Sequence, residues 1–362
     1  MKYWRSYLLL VFVGSILFTS CSEEISSRLN PIPKALGLAN HITVIADNSL
    51  WESDMRDTFE YYFQAAYPIL PQPEPLFDLK HYTYKDISQS TIKRELRTYV
   101  VLANLQDETS GVTKMVLEDL GTEKANRAKT DPNYNTAVGY NRWAKGQLVI
   151  YLFGKNREDL MTQIVRQFPA IAKKVNKFDE EKIYSLTYLA KSSTRLNTLF
   201  SENYNASIDV PADYFLALHE DKTMWFRKET DFISYNIMIT EVPYRNENQL
   251  KKAGQKAIMD SLGLKYVSTE IDATYKKIND VDLPMLAEAS NLGNSYAIET
   301  RGIWEIENDF MGGPFLSYGV LSPDKKRIIL LEGFVHAPGK EKRKYMQQLE
   351  VILQSFRFEV EQ

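Results

Sequence analysis

Chemistry in this chain would have to come from few groups. It has one cysteine, Cys21, and four histidines, His41, His81, His219 and His336. No two histidines stand at metal-ligand spacing, and the stretch "HEDK" at His219 lacks the second histidine of a zinc-protease helix. A single thiol can form neither a thiolate metal cluster nor a disulfide within the chain. There is no G-x-S-x-G elbow and no G-x-x-x-x-G-K-[ST] phosphate loop. Glu305 and Glu307 alternate on one face of an expected strand. Paired carboxylates can hydrolyse glycosides, but a solvated strand face explains the same spacing. The residues point to no catalytic site, no metal and no cofactor, and to binding before catalysis. An envelope hydrolase acting on glycan or peptide, or a lipid-handling carrier, is the alternative.

Two stretches stand out as candidate binding sites. In "APGKEKRK", Lys340, Lys342, Arg343 and Lys344 crowd the expected first turn of a helix against one acid, Glu341. Free N–H groups already make a helix start electropositive, so cations there are unfavourable by several tenths of a kcal/mol each. An anion or a partner's carboxylates would relieve them, and side chains spread into water or paired with acids elsewhere in the fold account for the stretch more simply. In "RGIWEIENDFMGGPF", a strand would turn Trp304 to the core, while Gly312, Gly313 and Pro314 supply a bend, read as a hairpin connection. Glycine there would also admit a ligand close to the backbone. The loop "NYNTAVGYNRW" mixes Tyr134, Tyr140 and Trp143 with amides, as sugar stacking needs, and packing on its own lobe accounts for it equally.

Cys21 has a different use. Residues 1–20 read as a bacterial export signal: Lys2 and Arg5 precede "YLLLVFVGSILF", an apolar run too short to span a bilayer as a mature helix. Thr19 and Ser20 lead to the cysteine in the manner of a lipoprotein signal, although Phe18 stands where such signals more often carry Leu. Acylation would cap a thiol that the oxidising envelope otherwise exposes, and each buried methylene adds about 0.8 kcal/mol to anchoring. Cys21 is thus the expected lipidation site, on an outer-membrane lipoprotein facing the periplasm or the cell surface. Glu23 and Glu24 follow it, as in an acidic surface-export tag or a solvated tether.

The elements that must position these residues make an ordinary globular body. Hydrophobic residues are 44% and charged residues 25% of the 362, enough for a sizeable core. Losing Lys2 and Arg5 takes the formal charge from −3 to −5, which argues against nucleic acid as a partner. Residues 21–40 read as a flexible tether, 41–203 as an N-terminal α+β lobe and 204–362 as a C-terminal one. Expected strands include "HITVIAD", "TYVVLANL", "LVIYLFG" and the successive antiparallel run "YAIETRGIWEIEN", "FLSYGVLSP", "RIILLEGFVHA". Helices are expected over "GVTKMVLEDLG", over about 156–174, over "ENQLKKAGQKAIMDSLG" with a glycine stop, and at the C-terminus. The fold class is α+β, two lobes of mainly antiparallel sheet flanked by helices. Each lobe closes with strand, turn and amphipathic helix, which invites a reading as a pseudo-repeat.

The segments "HITVIAD", "LPQPEPLFDL", "RWAKGQLVIYL", "RGIWEIENDFMGGPF" and "EGFVHAPGKEKRKYMQQLE", in that order, resemble an uncharacterised Bacteroidetes lipoprotein family, domain of unknown function 4837. The resemblance implies an envelope lipoprotein of unassigned activity and carries over no catalytic residue. The ending "LQSFRF" also resembles PsbP/Mog1-like domains, antiparallel sheets flanked by helices. The expected partners are the membrane, through Cys21, and an envelope protein, glycan or lipid ligand. Replacing Cys21→Ser should move the protein from the membrane fraction to the soluble fraction; continued membrane retention would refute the anchor.

Overall fold

The computed structural model of the chain describes residues 32–52 and 54–359. The export signal, Cys21, Glu23, Glu24 and most of the expected tether lie outside those residues. The end of that stretch is not a tether: the Ala35 N–H donates to the Lys145 carbonyl at 2.9 Å and the Leu36 N–H to the Glu95 carbonyl at 2.7 Å. The chain divides into two compact units: Met1–Phe63 with Phe77–Val175, and Gln64–Leu76 with Asn176–Gln362. The division departs from a single cut near residue 203, because the proline-rich segment after Phe63 packs with the second unit and the long helix described next crosses the boundary.

In the first unit, strands β1 (His41–Ile45), β2 (Asp78–Tyr82), β3 (Thr98–Asn104), β4 (Thr136–Tyr140) and β5 (Leu148–Gly154) pair in the order β2-β1-β3-β5-β4. The ladders β1–β2, β1–β3 and β3–β5 are parallel, and only β4 runs antiparallel to β5. Helices α1 (Asp54–Phe63), α2 (Gly111–Thr130) and α3 (Arg157–Thr187) separate or follow the strands. Mainly antiparallel pairing was expected for both lobes, and here it fails at the centre of the sheet. "LVIYLFG" is buried at every position and "TYVVLAN" at all but the last, the mark of strands covered on both faces. Helical crossovers between them then favour parallel neighbours. At Gly121 (φ 72°, ψ 166°) α2 kinks and continues to Thr130, past the glycine at which the expected helix "GVTKMVLEDLG" ends.

The second unit is antiparallel. It contains α4 (Thr194–Tyr204), β6 (Ala206–Ser207), β7 (Phe215–Glu220), β8 (Thr223–Thr230), β9 (Ile233–Pro243), α5 (Lys252–Tyr266), β10 (Tyr275–Asn279), β11 (Leu286–Leu292), β12 (Ser295–Glu307), β13 (Gly312–Leu321), β14 (Arg327–His336), α6 (Arg343–Gln354) and β15 (Arg357–Phe358). Eight strands form one sheet in the order β10-β12-β13-β14-β9-β8-β7, with β11 also paired to β12. Successive residues of a strand face opposite ways, so Phe315 joins Trp304, Leu330 and Met259 under α5, while Leu316 joins Leu331, Phe200 and Leu349 under α4 and α6. The two units therefore share the α+β class but no common topology, and the pseudo-repeat falls.

Gly263, expected to stop α5, lies inside it. A Cβ there would sit 2.0 Å from the Lys276 carbonyl oxygen, so glycine lets helix and strand approach. Beneath that contact the Lys276 ammonium and the Glu332 carboxylate meet at 2.5 Å, both fully buried. Burial pushes the Glu332 carboxyl above its ordinary range, against the pull of Lys276. The ammonium also lies 4.9 Å from the centre of the Phe334 ring. Removing one partner strands the other charge in the core. Lys276→Met or Glu332→Leu alone should cost about 3–5 kcal/mol in urea unfolding, and the double variant should recover most of it. Additive losses would contradict this coupling.

Candidate functional site

The expected cationic helix start is built differently from its sequence image. Residues 338–341 form a turn, with Gly339 at φ 66°, and α6 begins only at Arg343. Lys342 and Arg343 are buried. The Glu74 carboxylate accepts the Lys342 N–H at 2.5 Å and the Arg343 N–H at 2.9 Å. In return the Arg343 guanidinium donates to the carbonyls of Pro75 and Leu76. The Lys342 ammonium donates to the Lys340 carbonyl at 2.8 Å. Lys340 and Lys344 are exposed; their ammonium groups lie 5.3 Å from the Phe232 ring and 4.9 Å from the Tyr345 ring. The anion that this stretch needs is thus supplied from within, by Glu74.

Glu74 is fixed by its surroundings. Pro71, Pro73 and Pro75 pre-set the backbone around it. The Tyr67 N–H donates to the Glu74 carbonyl at 2.8 Å and the Leu76 N–H to the Ala65 carbonyl at 2.7 Å, closing the segment on itself. Sequence reasoning missed this residue. Its only signal was one acid held among prolines in "LPQPEPLF".

Gly312 and Gly313 are not the hairpin connection. The turn is 308–311, with Asn308 at φ 60°, and β13 already pairs Gly312 with Glu305 and Gly313 with Trp304. A Cβ on Gly313 would stand 1.9 Å from the Val335 carbonyl oxygen, so glycine is required by the neighbouring strand. Trp304 is in the core, as expected, at 3% exposure. The His336 Nδ1 lies 3.3 Å from the Gly312 carbonyl, which can only accept, so Nδ1 carries the hydrogen and Nε2 is the acceptor of the neutral ring.

The two stretches nevertheless converge. Gly312, Gly313, Gly339 and Lys342 all line one open cleft of ≈ 510 Å³, whose walls also include Pro71, Gln72, Trp304 and His336. A third wall comes from the loop after β10. Asn279 Nδ2 donates to Asp282 and to Glu305, each at 2.7 Å, and its Oδ1 accepts the N–H groups of Val281 and Asp282 at 3.0 Å. Lys277 pairs with both Glu305, at 3.1 Å, and Glu307. Asp309 and Phe310 complete the rim, with Phe310 fully exposed. The aromatic loop of the first unit is not such a surface. Trp143 packs edge-on against Tyr99 under the Arg142 guanidinium, and Tyr134 packs on Phe153; only Tyr140 is exposed.

Replacing Glu74→Ala leaves two buried N–H groups without an acceptor and takes the anion from the helix start. A loss of about 2–3 kcal/mol in chemical unfolding is expected, with Glu74→Gln in between. An unchanged midpoint would show that the clamp carries no stability.

Residues 193–355 match the domain of unknown function DUF4837, and residues 35–187 match another, DUF8532. No curated protein matches. Among solved structures the chain is similar to the Ran-binding protein Mog1p of Saccharomyces cerevisiae, with 10% identity and a TM-score of 0.28 over 43% of this chain and 90% of that one. The DUF4837 match holds the segments "RGIWEIENDFMGGPF" and "EGFVHAPGKEKRKYMQQLE", while "HITVIAD", "LPQPEPLFDL" and "RWAKGQLVIYL" fall within the residues that match DUF8532, so the resemblance to DUF4837 is limited to the second part of the chain.

Proposed function

We propose that this is a lipid-anchored envelope protein, held to the outer membrane through Cys21, and that its second unit binds a ligand in the cleft. The observation that carries the binding reading is Phe310. Its whole side chain stands in water on the rim of an open cleft with polar and aromatic walls, so it contributes no burial to the fold and offers apolar area that a ligand would cover. The anchor reading has its support in the sequence around Cys21.

A hydrolase has one observation in its favour, three carboxylates, Asp282, Glu305 and Asp309, among the cleft residues. Asp282 and Glu305 are spent on Asn279, and Glu305 also on Lys277, so they organise the loop, while Asp309 accepts the Phe310 N–H at 2.7 Å. A lipid carrier would need an enclosed apolar chamber, whereas this cleft is open. The test is a photo-crosslinking amino acid placed at Phe310 in living cells, with exposed Tyr61 of the first unit as control. An adduct at 310 and none at 61 is expected, and its mass identifies the ligand as protein, glycan or lipid. No adduct at 310 would remove the cleft from consideration.

A further inference from the structure

Four loops end beside this cleft, and each carries an exposed apolar side chain next to an acid. Ile271 lies between Glu270 and Asp272, Val281 precedes Asp282, Phe310 follows Asp309, and Phe232 follows Asp231 in the β8–β9 turn. Val281 is 92% exposed, and Ile271 and Phe232 are each more than half exposed. Contacts gather the loops at one end of the sheet. Asn308 Nδ2 donates to the Ala273 carbonyl at 3.0 Å, joining the loop of Ile271 to that of Phe310. Asp282, Asp309 and Phe310 share the cleft wall. Lys340, beside the cleft residue Gly339, lies over Phe232.

The ion pairs nearby belong to Asp280, Glu305 and Glu307. Asp231, Glu270, Asp272 and Asp309 make none among the described residues, and Asp282 is bonded to Asn279 instead. The cleft also keeps one unused donor: Trp304 Nε1, in a nearly buried side chain of the cleft wall, has no hydrogen-bond partner among the described residues and stands beside Gly313. These acids outnumber Lys340, the exposed cation over Phe232, so the rim disfavours phosphate and anionic lipid headgroups and complements cations flanked by apolar groups. The buried N–H is left for an acceptor such as a backbone carbonyl.

Resting on the cleft as a binding site, we propose that this end of the second unit docks a polypeptide segment in which Lys or Arg alternates with apolar residues. The acids receive the cations, the loop tips and cleft take the apolar side chains, and specificity comes from charge sign.

The test uses the full chain in detergent and labelled short peptides of one apolar pattern, with Lys, Ser or Glu at the charged positions. A neutral oligosaccharide and glycerol phosphate serve as further probes. The Lys peptide should bind roughly tenfold tighter than the Ser peptide, weakening with salt, and the Glu peptide should not bind. Asp272→Asn with Asp309→Asn, and separately Phe310→Ser, should each lower affinity about tenfold at unchanged melting temperature. Glu202→Gln, an exposed acid on α4, should change nothing. Equal binding of the Lys and Glu peptides, or no loss in the double variant, overturns the proposal. Oligosaccharide or glycerol phosphate binding that Phe310→Ser abolishes, without peptide binding, overturns the polypeptide class and leaves the cleft as a binding site. If no probe responds to Phe310→Ser, both fall.

Discussion

A carboxylate and a guanidinium exchange bonds across the second unit, and the cleft depends on that exchange. Glu74 gives α6 the acceptor its first N–H groups lack, and Arg343 returns donors to the carbonyls of Pro75 and Leu76. Each half satisfies groups that would be expensive to bury alone. Because the same proline segment carries Pro71 and Gln72, and the same helix start carries Gly339 and Lys342, the clamp also fixes two cleft walls. A negative charge at a helix N-terminus is favourable in its own right. The local excess of lysine and arginine is thereby compensated without an external anion.

The sheet that supports this arrangement is covered on both faces, yet it is not wholly apolar. Under α5, Glu332 pairs with Lys276, while Thr300 and Ser317, in register beside Glu332, bond to each other at 2.6 Å. A buried ion pair adds little net stability compared with a well-packed apolar pair. It does restrict which register is tolerable, because a shift of one residue would put Glu332 under α6 and leave Lys276 unpaired.

How far the sequence could be read differed from element to element. The three strands β12, β13 and β14, the core face of α6 at Met346, Leu349, Ile352 and Leu353, and the α+β class were legible from periodicity alone. Strand sense in the first unit was not, because a run such as "TYVVLAN" shows burial on both faces and leaves direction to the connections. The meaning of glycines was also hidden. Gly263 and Gly313 look like a stop and a bend, but each is required by a carbonyl oxygen of another strand. The basic stretch stood out as a cationic helix start, to be met by a ligand, a partner or acids elsewhere in the fold. Its partner could not be named, since Glu74 stands 268 residues away from Lys342. Exposure of Phe310 is likewise a property of the fold, and no local pattern announces it.

That separation has a consequence for biosynthesis. A chain emerges from the ribosome N-terminus first, at roughly 5–20 residues per second. Glu74 and the proline segment are therefore made early and must wait, unclamped, until Lys342 and Arg343 appear some 268 residues later. The first unit has all of its strands by Gly154, long before then. The second cannot close its helix start, or the cleft walls that lean on it, until Lys342 and Arg343 have been made.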